Sequence, residues 1–534
     1  MEEPTNKTIK LINLPETIAF HWHSKVRVSL YPEKFLCLME CNTDVLVEVC
    51  NWLFSELGYR FASLVVEDQP QKWLLRYIFY GAEGGGQVHI LCQLSKAEKI
   101  IPSISNLVHA ADWQEREAED LFGLVFEGHP RLGDFILHEE WPEGINPMRT
   151  EFDSLKPYIH REIDPEWKPA RIVQTPGAFM MPIGPIYSDF AESAHFLLET
   201  VGEDVIRTIP RLFYKYRGIE KIAEKKSVEH VILLAERFSG TSAFAHSLAF
   251  CQAVEDIVGV EVPERAKSLR ILMAELERFR HHIKAIAGIC ASTAMVVPTS
   301  QLSILEEELL RLSCALTGHR YLFGLNIPGG LSIDFDNDKL KNLATTINEV
   351  LKKLNELKEM LCFSSSFLDR LEEVGTISRE RAVSYGLVGP VARASGMIRD
   401  LRKVLPYSGY EKIDFIVPCE QEGDGYARLR VLFSEAEQSA QIINQVAFSL
   451  PSGPVVSPVF SIVHGSSLGW VEAPCGAAFH WVKLDEGDRI DRYRITTPSF
   501  TNWHGFHLAA EDFAFQDFPI IMATFCLSNA ECDR

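Results

Sequence analysis

The sequence lacks a Cys-x-x-Cys pair, a long apolar run and enough basic residues to balance its acids. Each absence excludes something. Its 12 cysteines are scattered. Without paired thiols, this chain alone builds neither a zinc ribbon nor an iron–sulfur cluster. The acidic start Met1-Glu2-Glu3-Pro4 has no secretory core after it, so most of the cysteines are expected to be small buried residues with free thiols rather than a disulfide framework. No run of 18 apolar residues exists, and the nearest stretch, 283–298, is interrupted by Lys284, so no membrane-spanning helix is expected. Lys and Arg number 53 against 73 Asp and Glu, a net charge of −20. Such a surface repels phosphate backbones, which argues against a nucleic-acid partner.

What is present is ordinary globular material: 46% hydrophobic, 24% charged and 10% aromatic over 534 residues. At roughly 150 residues per domain, that length implies more than one domain. Residues 1–150 read as an α/β unit, with helical spacing over 45–57 and β-rich runs at 61–67, 73–80 and 87–92. The glycine-rich 81–86 between two such runs lacks a following Lys-Ser/Thr and reads as a hairpin turn, not a phosphate loop. Residues 151–180, rich in proline, read as an extended linker. Residues 181–534 read as a mostly helical bundle flanked by β elements. Helices are expected over 231–258, 269–283, 301–316 and 340–361, with strand-like pieces at 454–456 and 492–497.

One string in the first unit is distinctive: Trp113-Gln-Glu-Arg-Glu-Ala-Glu-Asp120-Leu-Phe-Gly123-Leu-Val-Phe-Glu-Gly-His129-Pro130. Trp113 and Phe122 would anchor a short helix ended by Gly123, with Glu115 and Arg116 on a solvated charged face. The string, with Trp141 and Pro147-Met-Arg149 after it, resembles the signature of the C-type subunit of complex I. In the second unit four stretches stand out. They are Tyr216-Arg-Gly-Ile-Glu-Lys221; Pro263-Glu-Arg-Ala-Lys-Ser-Leu-Arg270 with Glu275, Arg278 and His282; Gly389-Pro-Val-Ala-Arg-Ala-Ser-Gly396 with Asp400 and Arg402; and the terminal Asp533-Arg534. They resemble the D-type subunit of complex I, which builds the quinone pocket, and the large subunits of group 4 nickel–iron hydrogenases. Both likenesses in one chain resemble the formate hydrogenlyase and hydrogenase-4 type of large subunit. The resemblance implies a C-like domain at 1–150 and a D-like, hydrogenase-like domain at 181–534.

The likeness breaks at the metal ligands. In the hydrogenase family, Glu-Arg-x-Cys-Gly-x-Cys and a terminal Cys-x-x-Cys-Thr-Asp-Arg supply four thiolates, the soft ligands that nickel and iron need. Here the first segment reads Glu236-Arg237-Phe238-Ser239-Gly240-Thr241-Ser242, and the second Cys526-Leu-Ser528-Asn-Ala-Glu531-Cys532-Asp533-Arg534. Aligned this way, the four positions hold Ser239, Ser242, Ser528 and Glu531, and no metal is expected. Cys526 and Cys532 are out of register for the role. The end at Asp-Arg, as in the D-type subunit of complex I, points the same way.

The resemblance also implies the remaining site. His195 stands near the hairpin histidine that complex I uses for the quinone head group, while the pocket tyrosine falls on Gly240 and the pocket aspartate near Ser292. Tyr187, in the Gly184-Pro-Ile-Tyr187 opening, either donates a hydrogen bond or packs. Arg217 and Arg237 match positions facing a 4Fe–4S cluster in a partner subunit, or pair with Glu220 or Glu236. His246 reads as a packed helix histidine or a proton donor. A family arginine is replaced at Cys475. Glu531, buried among serines, is expected to have a raised pKa unless a cation offsets burial, and to donate protons with His195 as a second donor.

The implied function is a peripheral-arm electron-transfer subunit of a membrane-bound, complex I-like oxidoreductase without a nickel–iron centre. It would pass electrons from the partner's cluster to an acceptor, quinone being the family's, coupled to ion translocation. NAD and quinone binding attach to it only at family level. Implied partners, named by their complex I counterparts, are a B-like iron–sulfur small subunit, a ferredoxin-like subunit, an H-like membrane subunit and antiporter-like membrane subunits. The implied place is the cytoplasmic face of the inner membrane, held there by those partners. The alternative is a non-redox scaffold coupling an ion-conducting module to another activity.

Overall fold

The computed structural model describes residues 11–22, 25–82, 84–162, 176–186, 192–458 and 464–534. Tyr187 and residues 163–175 of the expected linker therefore lie outside the described residues. The chain divides into two compact units, Met1–Ala170 with Ser384–Gly386, and Arg171–Val383 with Leu387–Arg534.

The first unit is the expected α/β domain. Its sheet runs in the order β1-β2-β5-β4-β3, comprising β1 (Val26–Tyr31), β2 (Leu36–Cys41), β3 (Arg60–Asp68), β4 (Lys72–Tyr80) and β5 (Gln87–Ser95). β3, β4 and β5 form an antiparallel meander, and β2 joins β5 in parallel. The near-continuous apolar run of β3 is buried on both faces, as such runs require. The glycine-rich segment closes the β4–β5 hairpin, with Gly81 N–H donating to the Gly86 carbonyl at 2.9 Å. The signature string forms the helix Asp112–Phe122, and Gly123 ends it at φ +74°, where a Cβ would lie 2.4 Å from Asn146 Oδ1. Asp120 accepts three successive backbone N–H groups, from Phe135, Ile136 and Leu137, at 2.7–3.0 Å and so pins the loop after the helix.

Glu115 overturns the expected solvated face. It is fully buried, accepting from Ile104 N–H at 2.9 Å and from Ser103 Oγ at 2.5 Å. Those donors come from the loop before the helix, out of reach of a helical-wheel argument. Burial pushes its pKa from 4.5 up to about 8 despite these hydrogen bonds. A folded-state pKa raised above the unfolded value means the native state favours the protonated form. Stability from this group is then complete below pH 4.5 and is lost as pH rises to about 8. Glu115→Gln is expected to stabilise the chain progressively over that window, by roughly 1.4 kcal/mol per pH unit. Urea midpoints of both proteins between pH 5 and 8 measure it; a constant difference would refute the assignment.

The second unit is helical, with two larger sheets and the two-stranded pair Asn326–Ile327 and Gly330–Leu331 among its described residues. The helix Glu264–Ser292 runs through its centre against Gly425–Phe448 and Val296–Thr317. Asn337–Cys362 lays Leu340, Leu343, Ile347, Val350, Leu354, Leu357 and Leu361 on one buried face. Its N-terminus is capped by Asp336, which accepts Lys339 N–H at 2.8 Å. One sheet holds Ala178–Ile183, His195–Val201, Asp204–Arg211 and Glu511–Ala514; the other holds Gly465–Ala473, Gly476–Leu484 and Ile490–Thr496. Two expectations fail here. The helix expected over 231–258 is two, Val228–Arg237 and Ala243–Val258, and 454–456 forms no strand, Val456 making only an isolated bridge to Gly330.

A charged cluster sits inside this unit. Arg402 binds Asp400 at 2.6 Å and Glu275 at 2.9 Å; Arg393 binds Glu435 at 2.5 Å and Glu472 at 2.8 Å; Arg278 reaches Glu275 at 3.3 Å. Every one of these side chains is buried. Three guanidiniums thus face four carboxylates, and removing one charge from such a cluster leaves others uncompensated. Arg393→Met is expected to cost about 3–5 kcal/mol. Glu472→Gln, which removes the surplus negative charge, is expected to leave stability unchanged or raise it. Equal losses in urea unfolding would contradict this charge count.

Candidate functional site

The site is built where the two helices part. Between Val228–Arg237 and Ala243–Val258 the chain bends through Ser239 and Ser242. Ser242 occupies the N-cap of the second helix but does not cap it. Glu277 does so instead, accepting Phe244 N–H at 2.8 Å and Ala245 N–H at 3.0 Å from the neighbouring helix. Burial pushes the Glu277 carboxyl up to about 7. The Ser242 hydroxyl is left to face the terminal segment.

That segment ends in the short helix Asn529–Cys532, with Ser528 at its N-cap. Glu531 projects from it into the bend and is fully buried. Its Oε1 accepts Ser239 Oγ at 3.1 Å and lies 3.6 Å from His246 Nε2; its Oε2 accepts Ser499 Oγ at 2.5 Å. Ser528 N–H reaches Ser499 Oγ at 3.2 Å. The structure therefore brings Ser239, Ser242, Ser528 and Glu531 together across 292 residues of sequence. Glu192 closes the far side, accepting Ala530 N–H and, at 3.5 Å, the Ser528 hydroxyl.

The electrostatics reverse one expectation. Burial does push Glu531 toward a raised pKa, but the His246 contact and the Ser499 and Ser242 hydroxyls outweigh it and hold the carboxyl below its ordinary value. The expectation allowed for an offsetting cation; the offset comes from His246 and the hydroxyls, a partner the sequence did not name. His246 Nδ1 is 2.9 Å from His480 Nε2, and His480 Nδ1 is 2.6 Å from the Tyr493 hydroxyl. Burial keeps His480 well below the usual histidine pKa and Tyr493 well above the usual tyrosine one. With both neutral, Tyr493 donates to His480 and His480 to His246, which leaves the His246 Nε2–H facing ionised Glu531 at 3.6 Å, longer than a hydrogen bond.

His195 does not join this group. It opens a strand opposite Arg211, is half-buried, and hydrogen-bonds none of the four clustered residues. Burial and the Arg211 charge lower its pKa. The carboxylate of Glu192, three residues earlier, reaches the terminal segment instead. Arg237 is exposed, pairs with Glu236 at 3.0 Å and lies over the Phe323 ring; Arg217 is exposed and donates to the Ala530 and Asp533 carbonyls at 3.3 Å. Glu220 is taken by Arg492 and Arg494. Glu192, Glu277, His480, Tyr493 and Ser499 went unread in the sequence. His480 and Tyr493 lie on paired strands, a proximity that only the β-register reveals. Ser499, just after a Thr-Pro helix start, offered a local signal.

A nickel–iron group does not fit this donor set. The convergent side chains are three hydroxyls and a carboxylate held by a histidine, hard donors where soft thiolates would be needed. All 12 cysteines are free thiols, and among the described residues no group of three or more His, Cys, Asp or Glu is arranged to hold a metal ion.

Comparison with known proteins places the fold. Residues 39–158 match the respiratory-chain NADH dehydrogenase 30 Kd subunit, residues 291–466 its 49 Kd subunit, and residues 217–285 the nickel-dependent hydrogenases. Fold and site together define a complex I-like large subunit. Formate hydrogenlyase subunit 5 of Escherichia coli (strain K12) is 30% identical over 492 residues, covering 90% of this chain and 86% of that protein. The C/D subunit of NADH-quinone oxidoreductase from Acinetobacter baumannii (strain AYE) is 29% identical over 502 residues, covering 86% and 84%. Hydrogenase-4 component G of Escherichia coli (strain K12) is 29% identical over 425 residues, covering 79% and 74%. The chain belongs to this family of fused complex I-like and formate hydrogenlyase-type large subunits. A solved structure of the membrane-bound sulfane sulfur reductase, an archaeal respiratory membrane complex, contains a chain with TM-score 0.64 and 28% identity, covering 67% of this chain and 99% of that one. Relatives of this chain are thus subunits of membrane-bound complexes, while among the described residues no helix here is long and apolar enough to cross a membrane.

His246→Gln tests the polar chain. Losing the imidazole leaves burial of Glu531 less opposed, so its carboxyl pKa is expected to rise toward or above the ordinary range. Because a depressed carboxyl stabilises only above its unfolded pKa, the expected loss of about 1–3 kcal/mol appears at neutral pH and fades on acidification. Carboxyl infrared bands, assigned by difference from Glu531→Gln, report the shift; an unmoved band would exclude His246 as the partner.

Proposed function

We propose that this chain is the peripheral-arm electron-transfer subunit of a membrane-bound, complex I-like oxidoreductase, and that it works without a nickel–iron centre. The observation that carries this is the pocket's donor set: Ser239, Ser242, Ser528 and Glu531 converge with a histidine–histidine–tyrosine chain behind them. Such a set handles protons rather than metal. The electron source is a 4Fe–4S cluster in a B-like iron–sulfur partner. Exposed Arg217 and Arg237 would face it, where positive charge favours the reduced state. Electrons pass to an acceptor in the pocket, quinone being the class favoured by the complex I kinship, and the reaction is coupled to ion movement by H-like and antiporter-like membrane subunits. A ferredoxin-like subunit completes the electron path. The assembly sits at the cytoplasmic face of the membrane, held there by its partners.

The chain's own residues would then supply protons. His246 Nε2–H, oriented by Glu531, is the group that donates to a reduced acceptor oxygen. His480 and Tyr493, hydrogen-bonded in series behind it, hold the tautomer in which Nε2 carries that proton. Glu531 orients that imidazole, in place of the direct donation expected for a protonated carboxyl.

The purified complex is expected to contain less than about 0.1 nickel per chain, and Glu531→Gln to assemble normally while losing turnover by about 10²-fold or more. Metal analysis and quinone-reduction assays of the same preparation check both. One nickel per chain overturns the metal-free reading, and unchanged turnover in the variant overturns the proton role.

A further inference from the structure

The five-stranded sheet of the first unit ends on two strands, β1 and β3. The β3 edge is closed. Gln114, on the helix Asp112–Phe122, accepts Leu64 N–H at 2.6 Å and donates to the Ala62 carbonyl at 3.3 Å, so its amide takes up backbone groups that a further strand would use. The β1 edge has no such cover. Among the described residues its backbone pairs only with β2, in unbroken register from Val26–Cys41 to Tyr31–Leu36. An exposed edge is normally blunted by a proline, a bulge or an inward-pointing charge. The strand Val26-Arg-Val-Ser-Leu-Tyr31 has none of these, and its charge, Arg27, lies on the outer face with Ser29 and Tyr31.

The core face is unfinished at this edge as well. Val28 and Leu30 are only half-buried, although their partners on β2, Met39 and Cys37, are fully buried. The difference is that β2 has a neighbour strand on both sides and β1 on one. We propose that the β1 edge is an interface between two copies of this chain, which join their sheets by antiparallel β1–β1 pairing centred on Ser29. Such pairing has a two-fold axis normal to the sheet, which keeps every residue on its own face. Centred on Ser29, it sets Val28 against Leu30 twice on the core face, and Arg27 against the Tyr31 ring twice on the outer face. A centre at Leu30 would carry Pro32, which has no N–H, into the ladder. A centre at Val28 would set the already buried Val26 against Leu30 and leave Tyr31 beyond the paired strand.

The charge at the edge favours a second copy. A net charge of −20 pushes two chains apart in general. Here, though, Lys25, Arg27 and Lys34 stand against Glu33, Glu40 and Asp44. Lys25 binds Asp44 at 3.1 Å, and Arg27 lies directly opposite Glu40 in the strand register. The seam is thus locally neutral, and charges further off are screened over about 8 Å at physiological salt. The helix Leu14–Trp22 packs against β1, and the two-fold brings both copies of it to one face of the joined sheet, each with an exposed Phe20. A strand from another protein would need a sequence fitted to this edge; β1 is already fitted to itself.

The test is sedimentation of the full chain across a concentration series. The wild type is expected to reach a dimer. Ser29→Lys, which sets like charges face to face on the axis from an exposed position, is expected to weaken that dimer by about 10-fold or more. Ser29→Cys gives a second readout that does not depend on the lysine variant folding. With oxidised glutathione it is expected to join two chains through a disulfide between the two position-29 thiols, identified by peptide mass spectrometry. A wild-type monomer at every concentration, or a crosslink formed only through the exposed Cys314 or Cys362, overturns the proposal. So does an assembled complex holding one copy of this chain in which the β1 amides resist hydrogen exchange, because another subunit's strand then occupies the edge.

Discussion

The buried knot of Arg278, Arg393 and Arg402 with Glu275, Asp400, Glu435 and Glu472 is the constraint on which the second unit depends. Taking so many charges out of water is costly, and the cost is offset only while each guanidinium keeps its carboxylate partners. The knot therefore ties four pieces of chain at fixed distances: the central helix Glu264–Ser292, the helix Gly425–Phe448, the 389–402 segment, and the strand Gly465–Ala473. Tyr410 and Ser439 hydroxyls satisfy the remaining lone pairs of Glu275, and Leu401 N–H does the same for Glu472. An apolar core of this size would tolerate small slips; an ion cluster with directional bonds does not.

That rigidity reaches the pocket through the hairpin. The strand Gly465–Ala473 pairs with Gly476–Leu484, which carries His480, and the next strand carries Tyr493. Glycine at 469 lets the hairpin press on the helix Ala243–Val258, since a Cβ there would lie 1.9 Å from the Ala249 carbonyl oxygen. His246 lies on that helix. The close packing of hairpin on helix thus sets the 2.9 Å His246–His480 contact, and the ion knot holds the same hairpin through Glu472.

How much of this was legible follows the range of the interaction. The helix Asp112–Phe122 and its Gly123 stop, the long apolar face of Asn337–Cys362 and the glycine hairpin are local patterns and were read correctly. The meeting of Ser239 and Ser242 with Glu531 was legible only through family resemblance, because nothing local links residues so far apart. Burial of Glu115 was illegible: its donors come from a loop that the helical period does not encode. The break at 238–242 was missed because the apolar spacing continues across it, while the cap that enforces the break, Glu277, comes from another helix. His195 was favoured as a histidine near the right place, but the strand it opens pairs it with Arg211, and the turn before it presents Glu192 instead.

The reversed sign of the Glu531 shift has a consequence for electron transfer. A carboxyl kept protonated would be an acid awaiting a base, and its proton would be available before any electron arrived. An ionised carboxylate 3.6 Å from His246 does the opposite. It already places negative charge in the pocket, so an electron added to an acceptor beside it meets repulsion that raises the proton affinity of every neighbouring group. In the proposed reading, the pocket takes up its proton because the electron has come. That is the order a coupled device requires, since a pocket protonated beforehand would let the electron pass without drawing on the proton supply behind it.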